Sequence, residues 1–205
     1  MEKFYERYWG VRENELDDFP LKWPKLAPHI PREKGITILD FGCGAGHLIE
    51  EMHHLNPDAR FIGVDVSREA IERAKARCPY AEFHHIDDGG TAPVPAASVD
   101  FVFSSEVIEH VYDTERMASE MARVLRPGGR ALLTTPYHGF LKNLAIVLLG
   151  FDRHFNPTGP HVRFFSRRSL TDLLQRHGLR VFVYDYYGRV YPFSHSMVVL
   201  AEKRS

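Results

Sequence analysis

Short strand-like apolar runs alternate with longer helix-like apolar patterns along most of the chain. Residues 36–41 are β-branched and aromatic, which is typical of a fully buried strand. Residues 46–55 then place Leu48, Ile49 and Met52 at helical spacing. The same patterns predict strands at 60–65, 81–86, 99–104, 130–135, 180–186 and 196–202, and helices at 68–77, 116–125 and 167–177.

Strands that alternate with helices over 36–135 predict a parallel sheet covered by helices on both faces, with ligands bound at the carboxyl ends of the strands. Residues 140–151 are apolar on nearly every side of a helix and therefore need burial against something other than water. Core packing is the simplest interpretation. An acceptor-side cap that meets a hydrophobic molecule or a membrane surface is the alternative.

The composition narrows the class of protein. A chain of 205 residues with 44% hydrophobic content buries one substantial core, so we expect a single domain over 1–205. The net charge of −1 gives no support for binding to duplex nucleic acid. The amino terminus lacks the pattern of a signal peptide, and two cysteines do not form a disulfide framework, so a cytoplasmic location is expected.

The loop after the first strand carries the strongest chemical signal. Asp40, Gly42, Gly44 and Gly46 give the spacing D-x-G-x-G-x-G instead of the dinucleotide motif G-x-G-x-x-G. An acid at this position repels a pyrophosphate but accepts hydrogen bonds from an ammonium group. The sequence therefore favours a nucleoside cofactor with a cationic amino-acid tail, and a tight turn that binds nothing is the alternative.

Two further acids follow later strands. Asp65 ends the second strand about 20 residues after the glycines, where nucleotide-binding folds place a carboxylate on ribose hydroxyls. Asp87 and Asp88 precede Gly89 after the third strand, where an acid accepts the exocyclic amine of adenine. A polar turn is the alternative for either aspartate.

Together with residues 99–100, 106–110 and 125–129, these motifs stand in the order seen in class I S-adenosylmethionine-dependent methyltransferases. The chain resembles the small-molecule branch that includes the ubiquinone-biosynthesis O-methyltransferases. The resemblance implies a Rossmann-like α/β fold with a seven-stranded, mostly parallel sheet whose last strand is antiparallel. It also implies that S-adenosylmethionine contacts Asp40, Gly42, Gly44, Asp65, Val66, Asp88, Gly89, Ser105 and Glu106. Residues 92–94 depart from the family pattern, which leaves the choice between Asp87 and Asp88 open.

Two segments outside the sheet are predicted to cover the ligand. Residues 1–30 form a small amino-terminal element, either a pad on the sheet edge or a lid. In the lid interpretation, Tyr5, Tyr8 and Trp9 close over the cofactor, and Arg7 or Arg12 meets its carboxylate. Residues 137–165 are predicted to be a cap inserted on the acceptor side.

The acceptor side carries a second set of polar residues. Glu106, Glu109 and His110 share one face if their segment is helical, and His161 follows later in the chain. The small-RNA 3′-end 2′-O-methyltransferases, which the chain resembles at these positions, hold magnesium there. We therefore predict that these four residues bind Mg²⁺ or another divalent metal. In the alternative interpretations, His110 or His161 is a general base, or each is a structural histidine.

The predicted function is methyl transfer from S-adenosylmethionine to an oxygen of a small, hydrophobic acceptor, with nitrogen or carbon as the alternative methylated atom. Peripheral membrane contact is a further expectation. A metal-dependent RNA 3′-end 2′-O-methyltransferase and an NAD(P)-dependent dehydrogenase are the competing enzymes. A binding protein that has lost its acceptor site is the non-catalytic alternative. The sequence does not determine the acceptor or the oligomeric state.

Overall fold

The protein is described from a computed structural model that covers residues 19–87, 90–155 and 161–204. Residues 1–18, on which the predicted aromatic lid falls, lie outside the described residues. One sheet organises the fold. Its strands are β1 (Thr37–Phe41), β2 (Arg60–Asp65), β3 (Glu82–His85), β4 (Val99–Ser105), β5 (Leu125–Pro136), β6 (Leu179–Tyr187) and β7 (Ser196–Lys203).

The sheet has the strand order β3-β2-β1-β4-β5-β7-β6, and β7 runs antiparallel to its neighbours β5 and β6. The other described pairings are parallel. The predicted seven-stranded sheet with an antiparallel last strand is therefore confirmed. Its helices are α1 (Phe19–Leu26), α2 (His47–Leu55), α3 (Arg68–Arg77), α4 (Thr114–Val124), α5 (Phe140–Leu149), α6 (Phe151–His154) and α7 (Arg167–Arg176).

Both faces of the sheet are buried because side chains alternate along each strand. Leu39 of β1 packs into one apolar cluster together with residues of α4 and α7. Its neighbour Ile38 packs into the cluster on the opposite face, against residues of α1, α2 and α3. Helices therefore cover both faces, as predicted.

Three local predictions differ from the structure. Strand β5 begins at Leu125, five residues before the predicted strand at 130–135 and directly after α4, which ends at Val124. Residues 127–129 lie within β5, where the pairing with β4 shifts register. The segment after β4 forms only a short 3₁₀ turn, Ile108–His110, instead of a full helix. Helix α5 has no buried residue, so packing in the core is the wrong interpretation for it. Among the described residues, no helix is long and apolar enough to cross a bilayer.

Candidate functional site

A crevice lies at the carboxyl ends of β1 and β4, where the order of the strands along the chain reverses direction across the sheet. From β1 the chain builds β2 and β3 outward on one side, whereas β4 and β5 lie on the other side. The loops that leave β1 and β4 therefore diverge at this edge, and open α/β sheets bind ligands at such a point. The glycine loop follows β1 and the Glu-His segment follows β4, so both predicted motifs flank one crevice.

The glycine loop has a backbone conformation that requires glycine. Gly42, Gly44 and Gly46 have φ angles of 87°, 52° and 81°, in the left-handed region that other residues rarely adopt. A Cβ atom on Gly42 would lie 2.4 Å from Cγ2 of Val107, which leaves no room for a side chain. Helix α2 begins directly after this loop, and the N–H groups of its first turn have no acceptor within the helix.

Asp65 joins the glycine loop to the end of β2. Its carboxylate accepts hydrogen bonds from the backbone N–H groups of Gly44 and Ser67, each at 2.9 Å. Burial raises the pKa of Asp65, although these backbone hydrogen bonds oppose the shift. Because a carboxylate has about four lone-pair sites, Asp65 keeps capacity for the ribose hydroxyls that the sequence assigned to it.

Asp40 is a buried carboxyl one residue before the end of β1, with 2% of its surface exposed. Burial, reinforced by the charge of Asp65, raises the pKa of Asp40 to about 8. Lys22 of α1 opposes this shift and is itself only 3% exposed. The sequence analysis missed Lys22, whose only signal was a lysine between Leu21 and Trp23 in an apolar segment.

The predicted adenine side is only partly described. Asp88 and Gly89 lie outside the described residues, and Asp87 is exposed, so the choice between the two aspartates stays a prediction. The following loop is anchored, because the N–H of Ala92 donates to Glu120 at 2.8 Å. At the carboxyl end of β3, Nε2 of His85 lies 3.1 Å from the carbonyl of Val66, which follows β2.

Ser105 and Glu106 stand at the end of β4. The hydroxyl of Ser105 lies 3.0 Å from that of Thr134 on the adjacent strand. The carboxylate of Glu106 accepts hydrogen bonds from the hydroxyls of Tyr187 at 2.9 Å and Ser196 at 3.2 Å. Glu106 has a φ of 56°, and only a short 3₁₀ turn follows it. The segment is therefore not the helix that would place Glu106, Glu109 and His110 on one face. Glu106 therefore does not join the other three residues of the predicted metal site.

Those three residues do come together, and we call them the Glu-His-His cluster: Glu109, His110 and His161. One possible ligand atom from each lies within 4.8 Å of the others. Glu109 is 1% exposed, and its Oε2 accepts a hydrogen bond from Thr135 at 3.0 Å. Burial, followed by the charge of Glu106, raises the pKa of Glu109 well above its ordinary value.

Main-chain hydrogen bonds bring the distant His161 to this place. The carbonyl of Glu109 accepts from the N–H groups of Val162 and Arg163, each at 3.0 Å. The guanidinium of Arg163 donates to the carbonyl of Tyr112 at 2.7 Å. The segment that carries His161 is therefore docked on the 3₁₀ turn, and the two imidazole centroids lie 4.8 Å apart.

An exposed apolar surface lies on the cap. Lys142 of α5 donates to the carbonyls of Ser194 and His195, at 2.9 and 3.1 Å, so α5 lies beside the loop between β6 and β7. Large apolar side chains on both segments face solvent. This apolar cap surface comprises Phe140, Leu141, Leu144, Val147, Leu148, Leu149, Phe151, Val190, Tyr191 and Phe193.

Comparison with known proteins agrees with this architecture. The family model described as a methyltransferase domain matches residues 8–182. A probable S-adenosylmethionine-dependent methyltransferase of Mycolicibacterium smegmatis is 36% identical over 181 residues, which are 86% of this chain and 61% of that protein. A malonyl-[acyl-carrier protein] O-methyltransferase of Hahella chejuensis is 35% identical over 146 residues, 70% of this chain and 50% of that protein.

Solved structures share the fold. An S-adenosylmethionine-dependent methyltransferase from Aquifex aeolicus superimposes with a TM-score of 0.71 at 17% identity, over 92% of this chain and 94% of that one. The chain spans about 61% and 50% of the two curated relatives named above. The ubiquinone-biosynthesis branch is not specifically shown by these similarities. The motif order, the sheet topology and the family match together show that this chain belongs to the class I S-adenosylmethionine-dependent methyltransferases.

Proposed function

We propose that the chain transfers the methyl group of S-adenosylmethionine to a hydroxyl oxygen of a small, apolar acceptor. The observation that carries this proposal is the position of the Glu-His-His cluster, which follows β4 on the opposite side of the crevice from the glycine loop. A site that binds the cofactor alone has no need of a carboxylate and two imidazoles at that position. A hydroxyl that accepts a methyl group must lose its proton, and these groups promote that loss.

The crevice fits the cofactor by charge and by shape. Three buried carboxyls, those of Asp40, Asp65 and Glu109, lie at this edge of the sheet, and burial raises their pKa values in the ligand-free chain. A bound cation would lower these pKa values and favour the ionised carboxylates, so the edge suits a cationic ligand. Bound S-adenosylmethionine supplies an electrophilic methyl group on a sulfonium and also carries an ammonium and a ribose. In that complex the ionised Asp40 accepts hydrogen bonds from the ammonium, and Asp65 accepts from the ribose hydroxyls. We assign the carboxylate of the cofactor to Lys22, the buried cation near Asp40.

The residues of this chain align the acceptor and exclude water, which is the main requirement of an in-line displacement. In an ion-free cluster, His110 or His161 accepts the proton of the acceptor hydroxyl. Desolvation and the nearby His154 lower the pKa of His161, which keeps its ring neutral and able to accept a proton near pH 7.

The apolar cap surface supports a hydrophobic acceptor. Leu149 is 87% exposed and Phe140 is 79% exposed, and such side chains rarely cluster on a surface that meets only water. The O-methyltransferase activity in the name of the Hahella chejuensis relative agrees with transfer to oxygen.

The apolar cap surface would also contact a membrane. Cosedimentation with neutral phospholipid vesicles, compared between wild type and Leu149→Asp, tests that contact.

Transfer of a labelled methyl group into a cell extract tests the function. After incubation with methyl-labelled S-adenosylmethionine, the extract is separated into small-molecule, protein and nucleic-acid fractions. We expect label in the small-molecule fraction, on an oxygen by carbon NMR of the product. Gly42→Ala supplies the background, and Asp58→Asn, on the exposed surface, is the matched active control. Label in RNA, in protein or in no fraction would show that the proposal is wrong.

A further inference from the structure

We propose that the Glu-His-His cluster binds one divalent transition-metal ion, such as Mn²⁺ or Zn²⁺. The inference deepens the proposed function and rests on it, because the ion would act where the acceptor hydroxyl loses its proton. The cluster consists of Glu109, His110 and His161, and it excludes Glu106, whose carboxylate accepts hydrogen bonds from Tyr187 and Ser196.

The spacing of the possible ligand atoms suits a single ion. Imidazole nitrogens and carboxylate oxygens bind such ions at about 2.0–2.2 Å, so neighbouring ligands of one tetrahedral ion lie about 3.3–3.6 Å apart. The atoms of the cluster lie within 4.8 Å of one another. Side-chain rotations that bring these atoms roughly 1–1.5 Å closer together, without backbone movement, would close the site around an ion.

A buried oxygen without a hydrogen bond points into the cluster. Oε2 of Glu109 accepts a hydrogen bond from Thr135, but among the described residues Oε1 has no hydrogen-bond partner. It lies 3.6 Å from Nε2 of His110, which is too long for a hydrogen bond. Because a buried polar atom without a partner costs about 1–3 kcal/mol, native structures rarely retain one without a ligand or other reason. A cation between Oε1 and the imidazoles removes this cost.

The scaffold of the cluster does not depend on the cluster's own side chains. The backbone hydrogen bonds from Val162 and Arg163 to the carbonyl of Glu109 hold the His161 segment in place. His161 itself is exposed, so removing its ring leaves these bonds intact. Variants of this ring therefore report on ligand binding instead of on folding.

The donor set selects the ion. Two imidazoles and one carboxylate favour Mn²⁺, Fe²⁺, Co²⁺ or Zn²⁺, whereas Mg²⁺ favours oxygen ligands. Three ligands leave open positions on an ion of this kind. An ion held by Glu109, His110 and His161 would lower the pKa of an acceptor hydroxyl bound at an open position, which would promote methyl transfer to its oxygen.

A titration of the full chain with Mn²⁺ tests the proposal. Binding is monitored by electron paramagnetic resonance, because the six-line signal of the aqueous ion is lost when the ion binds. We expect one bound ion per chain, displaced by Zn²⁺ more readily than by Mg²⁺. Glu109→Gln, which keeps the shape of the side chain, and His161→Ala should each weaken binding by at least about tenfold. His54→Ala, an exposed histidine on α2, is the control and should bind like wild type.

Calorimetric binding of S-adenosylhomocysteine to the same samples separates this proposal from the proposed function. If wild type binds S-adenosylhomocysteine but no Mn²⁺ at millimolar concentration, the metal proposal is wrong and the methyltransferase assignment stands. If Glu109→Gln and His161→Ala bind Mn²⁺ as tightly as wild type, the ion occupies another place and the proposal is equally wrong. Matching melting temperatures for His161→Ala and wild type would show that its weaker binding is not caused by unfolding.

Discussion

Replacement of the buried Asp40 by asparagine should change how the stability of the ligand-free protein depends on pH. In the folded chain Asp40 keeps its proton up to about pH 8, whereas in the unfolded chain it loses the proton near its ordinary pKa of 3.8. Between these values the unfolded chain binds fewer protons than the folded chain. The free energy of unfolding of the wild type therefore falls as the pH rises through this interval.

The size of the effect follows from the two pKa values. Each pH unit between them costs about 1.4 kcal/mol, so the Asp40 contribution amounts to as much as about 5–6 kcal/mol between 3.8 and about 8. An asparagine is neutral throughout, so Asp40→Asn removes this dependence. Relative to wild type, the variant should become progressively more stable from about pH 5 to about pH 8.5.

Urea unfolding of wild type and Asp40→Asn at several pH values measures this difference. Asp58→Asn is the matched control, because Asp58 is an exposed partner of Lys34 and its removal should leave the pH profile unchanged. Parallel stability profiles for wild type and Asp40→Asn would refute the reasoning. In the same samples, loss of the carboxylate that meets the ammonium should weaken binding of S-adenosylhomocysteine by about 10–100-fold.

Three further substitutions test the site. Gly42→Ala places a side chain on a left-handed backbone, against Val107. The free energy of unfolding, measured in urea, should fall by about 2–4 kcal/mol, and calorimetry should show a loss of cofactor binding. Lys22→Met removes a buried cation near Asp40, and calorimetry should show about tenfold weaker binding of S-adenosylhomocysteine. Unchanged affinity would exclude a role for Lys22 in binding the carboxylate of the cofactor. Thr135→Val deprives Glu109 of its hydrogen-bond donor and should lower the free energy of unfolding, measured in urea, by about 1–3 kcal/mol. Thr91→Val, at an exposed threonine, is the control and should leave the free energy of unfolding unchanged.

The sequence by itself determined the sheet and the glycine loop that follows β1. Strand and helix periodicities are properties of neighbouring residues, so β2 was predicted with its observed bounds, Arg60–Asp65. The conformation of the loop from Gly42 to Gly46 was predictable for the same reason, because a left-handed backbone is a local steric requirement. Both predictions needed no knowledge of which distant segments touch.

Only the tertiary structure decided which side chains share the crevice. The left-handed φ of Glu106 turned its carboxylate toward Tyr187 and Ser196, against the helical spacing of the sequence. Packing of α1 buried Lys22 near Asp40. Hydrogen bonds between main chains far apart in sequence placed His161 beside His110. Such contacts depend on how separate elements pack, and that packing is not encoded in the periodicity of any one segment.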